Sequence, residues 1–401
     1  MLSTWFSTQY LTLSLRSPLW WVACTYDLLM YTGDIAFAEK YYHTIVNTLD
    51  KFYPSVTSPK TQLITKGVGI SDSYGDYAFL GRTGAVTYFN ALYVLALDNA
   101  AAIAKALGHR DDEARWTARA RIVSDAINTD RWDSVNGVYF DGQCGDTPCP
   151  QHAQDGNSIS IVSGVANQSR AESTLFYLSK NMARPYGNAF YDTDALGTDF
   201  SQRVYAFMSY FEIQARFLTG KVDSALDQIR RMYGHMSRND PGITMWEGIG
   251  PNGLPYEEGF TSMAHGWSTG VVPALTNFLL GVRPTGPGFT TWSIKPHPGD
   301  VKWAKGEVPT PKGPMKVFWY SNADIGIFLL NVVAPTGTSG ILSVPVRDSS
   351  SVVYVNTELV WEKKTSRGSG AKSDGDGYVS IEIQSGTNIV SVGFPGMALN
   401  N

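Results

Sequence analysis

A chain of 401 residues exceeds what one hydrophobic core usually organises, so two domains are expected. With 43% hydrophobic and 17% charged residues the composition is globular, and no uninterrupted apolar stretch is long enough to span a bilayer, so no membrane partner is expected. A formal charge of -4 without any run of Lys or Arg offers no electrostatic footprint to a polyanion, which excludes nucleic acid as an expected partner.

The opening MLSTWFSTQYLTLSLRS has no early positive charge and no clean apolar core, and makes a poor secretory signal. From about residue 18 to 281 the apolar spacing is helical, and Gly, Pro and Asp punctuation divides it into about nine helices, centred near residues 26, 44, 95, 120, 160, 175, 209, 229 and 271. In the third, Phe89, Leu92, Tyr93, Ala96, Ala100, Ile103 and Ala104 recur at three and four residues before Gly108; in the seventh, Val204, Phe207, Met208, Phe211, Ala215 and Leu218 do so before Gly220. The helices fall into pairs. Between pairs lie the polar and aromatic loops SDSYGDYAFLGR, DGQCGDTPCPQHAQDGNS, ARPYGNAFYDTD and ITMWEGIGPNGLPYEEGFTSMAHGW. Helical hairpins whose long loops gather at one end are what an α/α toroid requires. After GVRPTGPGF the period changes to short runs rich in β-branched and aromatic residues, WSIKPHP, KVFWY, IGIFLLNVV, GILSVPV, SVVYV, YVSIEIQ and NIVSVGF. These predict a C-terminal antiparallel β-sandwich, dividing the chain at residues 1–285 and 286–401.

The three cysteines are Cys24, Cys144 and Cys149. The last two share a Gly- and Pro-containing loop that lets their sulfurs meet; a disulfide there suggests an oxidising compartment, although so small a ring adds only about 2 kcal/mol. Metal ligation is the weaker reading, because His152 is the only nearby histidine and no second thiol pair completes a site. Asn167-Gln168-Ser169 is a glycosylation acceptor pattern that chance also produces in a chain this long.

Chemistry concentrates in the loops, where a rigid scaffold presents side chains together. One loop carries Trp246, Glu247, Glu257, Glu258, His265 and Trp267; another carries Asp72, Tyr74, Asp76, Tyr77 and Arg82. Aromatics make up 12% of the chain, and many sit beside Gly, Asp and Ser in loops, as in clefts that stack a pyranose ring and bond its hydroxyls. Glycoside hydrolysis needs two carboxyl groups, one giving a proton to the leaving oxygen and one activating water or attacking carbon. Each candidate also has an ordinary reading. Glu247 can be a solvated loop acid, His265 a helix-start residue bonding nearby backbone, and Asp76 a cap or turn residue. Trp20 and Trp21 are adjacent on a helix and cannot point the same way, so one belongs to the core and the other to the cleft.

The motifs PLWW and YTGD near residues 18 to 34, YGDYAF, TMWEG, SMAHGWSTG and GVRPTGPGFTTWSIKPHP resemble the catalytic and C-terminal portions of α-L-rhamnosidases, six-hairpin glycosidases of glycoside hydrolase family 78. The resemblance runs through nearly the whole chain, and its last three motifs together are specific. It implies an (α/α)6 barrel for residues 1–285, an inverting mechanism with Glu247 as general base, and a secreted enzyme that takes a carbohydrate or rhamnosylated small molecule without cofactor or metal. It also implies His265 as a sugar contact, with Trp246, Tyr77, Asp72, Trp20, Trp21 and Trp267 lining the site and Asp76 as a hydroxyl acceptor.

The family's general acid lies upstream of the PLWW region, in a segment this sequence does not show, and six hairpins need twelve helices. The expectation is therefore a toroid incomplete at its N-terminus. If the acid is within the chain, Asp76 or Asp72 is the candidate, with Glu257 and Glu258 behind them, and inversion sets the two carboxyl groups roughly 6.5–9.5 Å apart. Two alternatives stand: a catalytically silent carbohydrate-binding relative or fragment, and a six-hairpin glycosidase for another sugar.

Overall fold

The computed structural model describes residues 15–65, 82–194, 199–239, 244–347, 350–362, 364–367 and 370–394. Helix α1, Ser17–Thr32, starts with Pro18 in its first turn, where a missing N–H costs nothing. It stops at Gly33, whose left-handed backbone (φ 71°) lets its N–H reach the Leu29 carbonyl at 2.8 Å. Asp34 caps α2, Ile35–Asn47, by accepting from the Phe37 N–H at 2.9 Å. The hairpin grammar then repeats. Helices α3 (Thr87–Leu107) and α4 (Arg110–Asp130) meet at Gly108, and α5 (Gln154–Val162) precedes α6 (Gln168–Asn181), capped by Asn167. They are followed by α7 (Ala206–Leu218), α8 (Val222–Asn239) and α9 (Val271–Ala274), which a π turn extends to Leu279. Among the described residues a helix overlies each of the nine expected centres.

Burial sorts these helices into two rows. Helices α1, α3, α5, α7 and α9 pack in succession against one another. The whole apolar stripe expected in α3 is buried, and so is every residue of α5 from Gln154 to Ile161. Helices α2, α4, α6 and α8 cover that row and keep a polar face outward; α4 buries only Trp116, Ala120, Val123 and Ile127. Each buried-row helix from α3 onward follows a covering helix in the chain, so the described residues that lead into it lie at the N-terminal end of the buried row. Neighbouring connections are tied together there. Arg82 donates two bonds to Asp155, at 2.7 and 2.9 Å, and lies 3.1 Å from Asp141. His152 sits between Asp192, 2.6 Å from Nδ1, and Asp133, 3.1 Å from Nε2. Strand β1, Val204–Tyr205, pairs antiparallel with β2, Gly248–Ile249. This last tie corrects the stripe expected for the seventh helix: Val204 belongs to β1, because its backbone is engaged by Ile249, and Leu218 at the other end is 44% exposed.

Cys144 and Cys149 form a disulfide, their Cα atoms 4.9 Å apart, and Cys24 is a free, exposed thiol. Among the described residues no helix is long and apolar enough to cross a membrane.

The C-terminal part is a sheet that begins with β3, Val282–Pro284, and β4, Thr291–Ile294. It continues through β5 (Trp303–Val308), β6 (Met315–Asn322), β7 (Ile327–Pro345), β8 (Val352–Val355), β9 (Glu358–Glu362) and β10 (Tyr378–Gly393). Its order is β5-β6-β7-β10-β8-β9, with β4 paired to both β7 and β3. Alternation decides the faces: along β6, Met315, Val317, Trp319 and Ser321 are buried while Lys316, Phe318 and Tyr320 point out. The sheet departs from the antiparallel expectation in one pair, since β4 runs parallel to β7 with Thr291 opposite Ser339. The long strand permits this because its register to β10 shifts between Ala334 and Ser339, so its two halves take different neighbours.

The two parts are joined by specific contacts. The Trp319 indole N–H donates to the Leu279 carbonyl at 3.0 Å, the Tyr31 ring stands edge-on to Phe289 at 5.6 Å, and Arg230 forks onto Asp300 at 2.7 and 2.9 Å. Gly33 and Gly288 bring their backbones so close that a Cβ on either would lie 3.2 Å from the other's Cα.

Candidate active site

Glu247 follows Trp246 at a bend just before β2, and the two side chains differ in burial. Trp246 turns inward. It is 2% exposed, its ring is 5.9 Å from His235, and it belongs to a core cluster with Tyr186, Met232 and Phe278. That placement corrects the expectation of Trp246 as a sugar contact. Glu247 is half-buried. Its N–H donates to the Ser262 carbonyl at 2.9 Å and its Oε2 accepts from the Ser262 N–H at 3.2 Å, so backbone from further along the loop holds both ends of the residue.

The same loop returns through His265, whose N–H donates to the Met245 carbonyl at 2.9 Å. This brings His265 Nδ1 to 3.9 Å from Glu247 Oε2, with the histidine and glutamate side chains 28% and 20% exposed. An acceptor-only carboxylate beside an imidazole, both reachable from solvent, can move a proton and bind a hydroxyl. From His265 an aromatic path leads across the helix ends. Its ring lies 4.4 Å from Trp267, Trp267 stacks on Phe207 at 5.5 Å, and Phe207 meets the edge of Trp20 at 5.8 Å. Trp20 lies 4.9 Å from Phe211 and donates its indole N–H to the Tyr88 hydroxyl at 2.9 Å. Trp21 points away, edge-on to Tyr41 of α2 at 6.2 Å. Of the adjacent pair, Trp20 is thus the one continuous with Glu247 and His265.

Asp72, Asp76 and Tyr77 lie outside the described residues. Glu257 is ion-paired with Arg203, and Glu258 is exposed with a left-handed backbone. Sequence reasoning missed Tyr256, Arg203 and Ser262. Tyr256 is buried against Gly248, and burial first, then the negative charge of Glu247, pushes its phenol far above the ordinary range. The signal was a tyrosine beside two acids in LPYEEGF, within the loop already singled out. Among the described residues no group of His, Cys, Asp and Glu side chains is placed to hold a metal ion.

Comparison with known families bears on the fold that presents these residues. The family model described as the bacterial alpha-L-rhamnosidase 6 hairpin glycosidase domain matches residues 16–206, and that of the bacterial alpha-L-rhamnosidase C-terminal domain matches residues 281–358. The chain belongs to the bacterial α-L-rhamnosidase family.

Solved structures of α-L-rhamnosidases are similar over most of its length. The enzyme from Dictyoglumus thermophilum superposes with a TM-score of 0.68 at 18% identity, covering 94% of this chain and 39% of that one. The family 78 rhamnosidase of Bacillus sp. GL1 gives 0.60 at 27% identity over 75% and 30%, and the Streptomyces avermitilis enzyme, solved with L-rhamnose, 0.64 at 18% over 91% and 32%. Among curated proteins, an N,N'-diacetylchitobiose phosphorylase of Vibrio proteolyticus is 26% identical over 258 residues, 57% of this chain and 32% of that protein. The chain thus spans about a third of the length of the relatives it matches.

Proposed function

We propose that this chain carries the six-hairpin catalytic fold, as part of an α/α toroid, and the C-terminal β-sandwich of an enzyme that removes terminal non-reducing α-L-rhamnose with inversion. Glu247 is the general base that takes a proton from the attacking water. His265 contacts the sugar, Trp267 and Trp20 line the cleft, and Asp72, Asp76 and Tyr77 contribute from the preceding loop. The observation that carries this reading is the half-exposed Glu247–His265 pair, 3.9 Å apart, in a member of the α-L-rhamnosidase family. The substrate is a carbohydrate or a rhamnosylated small molecule, and the Cys144–Cys149 disulfide supports export to an oxidising compartment.

The test is hydrolysis of a nitrophenyl α-L-rhamnoside, with the anomer of the released sugar followed by NMR. The expected product is the inverted β-anomer, and Glu247→Gln lowers kcat by about 10²- to 10⁴-fold, the usual worth of a general base. Retention of configuration, or full turnover in the variant, overturns the assignment. A proton donor matters least when the leaving group is already acidic. Asp76→Asn as the acid therefore slows an alkyl rhamnoside far more than the nitrophenyl one. Rhamnose binding without turnover favours the catalytically silent relative. Release of sugar phosphate only when inorganic phosphate is added favours the phosphorylase chemistry of the curated relative.

A further inference from the structure

Strands that alternate between core and water ordinarily put polar side chains on the wet face. The outward face of β5, β6 and β7 breaks that rule. Trp303, Phe318 and Tyr320 are 61%, 39% and 36% exposed, while Val317 and Trp319, which alternate with the last two, are buried in the sheet's core. Across the first two strands Trp303 stands opposite Tyr320, Lys305 opposite Phe318 and Glu307 opposite Lys316. The rows continue onto β7, where Asn331 stands opposite Phe318 and Val333 opposite Lys316. A hollow of about 440 Å³ opens over them, lined by Lys305, Glu307, Lys316, Phe318, Asn331 and Val333. Its charges are unequal. Glu307 lies 3.7 Å from Lys316, whereas Lys305 pairs with no carboxylate among the described residues.

We infer that this face binds an acidic polysaccharide whose charges are sparse: sugar rings stack on Trp303, Tyr320 and Phe318, and a uronate carboxylate pairs with Lys305. The backbone of β6 and β7 is spent in ladders on both sides, so the face offers a ligand only side chains, and the apolar side of a pyranose suits its rings. The remaining groups narrow the ligand. The Asn331 amide both donates and accepts, as sugar hydroxyls require. One spare ammonium matches an occasional carboxylate but not a polyphosphate, which Glu307 repels. A protein partner would have to bury Lys305 and Asn331 in the middle of its contact, and desolvating an ammonium there is costly. The inference uses neither Glu247 nor His265 and stands apart from the proposed reaction.

The test uses the whole chain, with half-methyl-esterified polygalacturonate as the acidic glycan and its fully esterified form as the neutral one. Affinity electrophoresis and calorimetry are expected to show binding of the half-esterified polymer. Removing two exposed rings together, Trp303→Ala with Tyr320→Ala, weakens it by about 10- to 100-fold. Lys305→Gln weakens it by about 2- to 5-fold, the worth of one exposed ion pair, and leaves the affinity for the neutral polymer unchanged. Unchanged melting temperature and unchanged turnover of a nitrophenyl rhamnoside show that the variants are folded. No binding of either polymer overturns the inference, as does binding indifferent to the ring substitutions, or a Lys305→Gln loss that is absent or equal for the two polymers. An oligonucleotide bound as tightly overturns it too. So does a dimer in sedimentation that Trp303→Ala dissolves, which would seat a second copy on this face. If the wild type hydrolyses no rhamnoside while these binding differences appear, the proposed function fails and the glycan platform stands.

Discussion

His265 leans on Trp267 with its Nδ1 3.9 Å from Glu247, beyond hydrogen-bond reach, so the imidazole is not spent on holding the carboxylate. A ring in that position binds ligand more than it tunes the base. His265→Ala is expected to raise KM for the rhamnoside by about 10- to 100-fold while changing kcat less, the cost of one hydrogen bond to a sugar hydroxyl, and His265→Gln to recover part of it. Steady-state kinetics decide; a loss confined to kcat places His265 in the proton path instead. At this scale the nearness of Glu247 and His265 was legible, because both lie in one loop that returns on itself. Trp246 was not. Its neighbour's chemistry says nothing about direction, and only the packing against Tyr186, Met232 and Phe278 reveals that Trp246 lies in the core. The packing of Tyr256 was missed for a related reason, since Arg203 and Tyr205, which meet its ring, lie about fifty residues upstream and on the far side of a β ladder.

The helices could be read from spacing because several are bounded by local chemistry, Gly33 and Gly108 in left-handed turns, Asp34 and Asn167 as caps. The β1–β2 ladder could not, because two-residue strands carry no period and need a partner about 45 residues away. The same limit hid the parallel pairing of β4 with β7. Elements also meet through glycines whose need is conformational. Gly288 has φ 60°, a region that costs an L side chain about 1–2 kcal/mol, and a Cβ there would also press on Gly33 Cα at 3.2 Å with only backbone to give way. Gly288→Ala is therefore expected to destabilise the junction between α1 and the turn before β4 by more than that conformational cost alone. Gly370→Ala, whose Cβ would meet nothing within 4 Å at φ 69°, isolates the conformational part. Urea unfolding of the two variants measures the difference; equal losses would mean that the close approach carries no energy.

Across the whole molecule, the joint between helices and sheet contains a histidine that burial keeps neutral. His297 is 8% exposed, its N–H donates to the Phe278 carbonyl at 3.0 Å, and its ring lies among Phe217, Phe278 and Tyr378 at 6.0, 6.3 and 5.8 Å. Burial, reinforced by the charges of Lys295 and Arg283 and opposed by Asp374, lowers its pKa from 6.5 to about 4. The unfolded chain therefore binds a proton that the folded chain refuses between those values. Stability from this group is complete above pH 6.5 and is lost as pH falls through the interval to about 4, for a total of about 3 kcal/mol. Other groups titrate there too, so the informative quantity is the difference between the wild type and His297→Phe, which cannot accept the proton but keeps an aromatic ring against the same neighbours. Urea midpoints at pH 7.5, 5.5 and 4.5 are expected to fall more steeply in the wild type, with tryptophan fluorescence reporting the joint through Trp319, which bonds Leu279 across it. Parallel pH slopes would show that His297 accepts its proton in the folded protein, and acid would then loosen this molecule elsewhere than at the seam between its two parts.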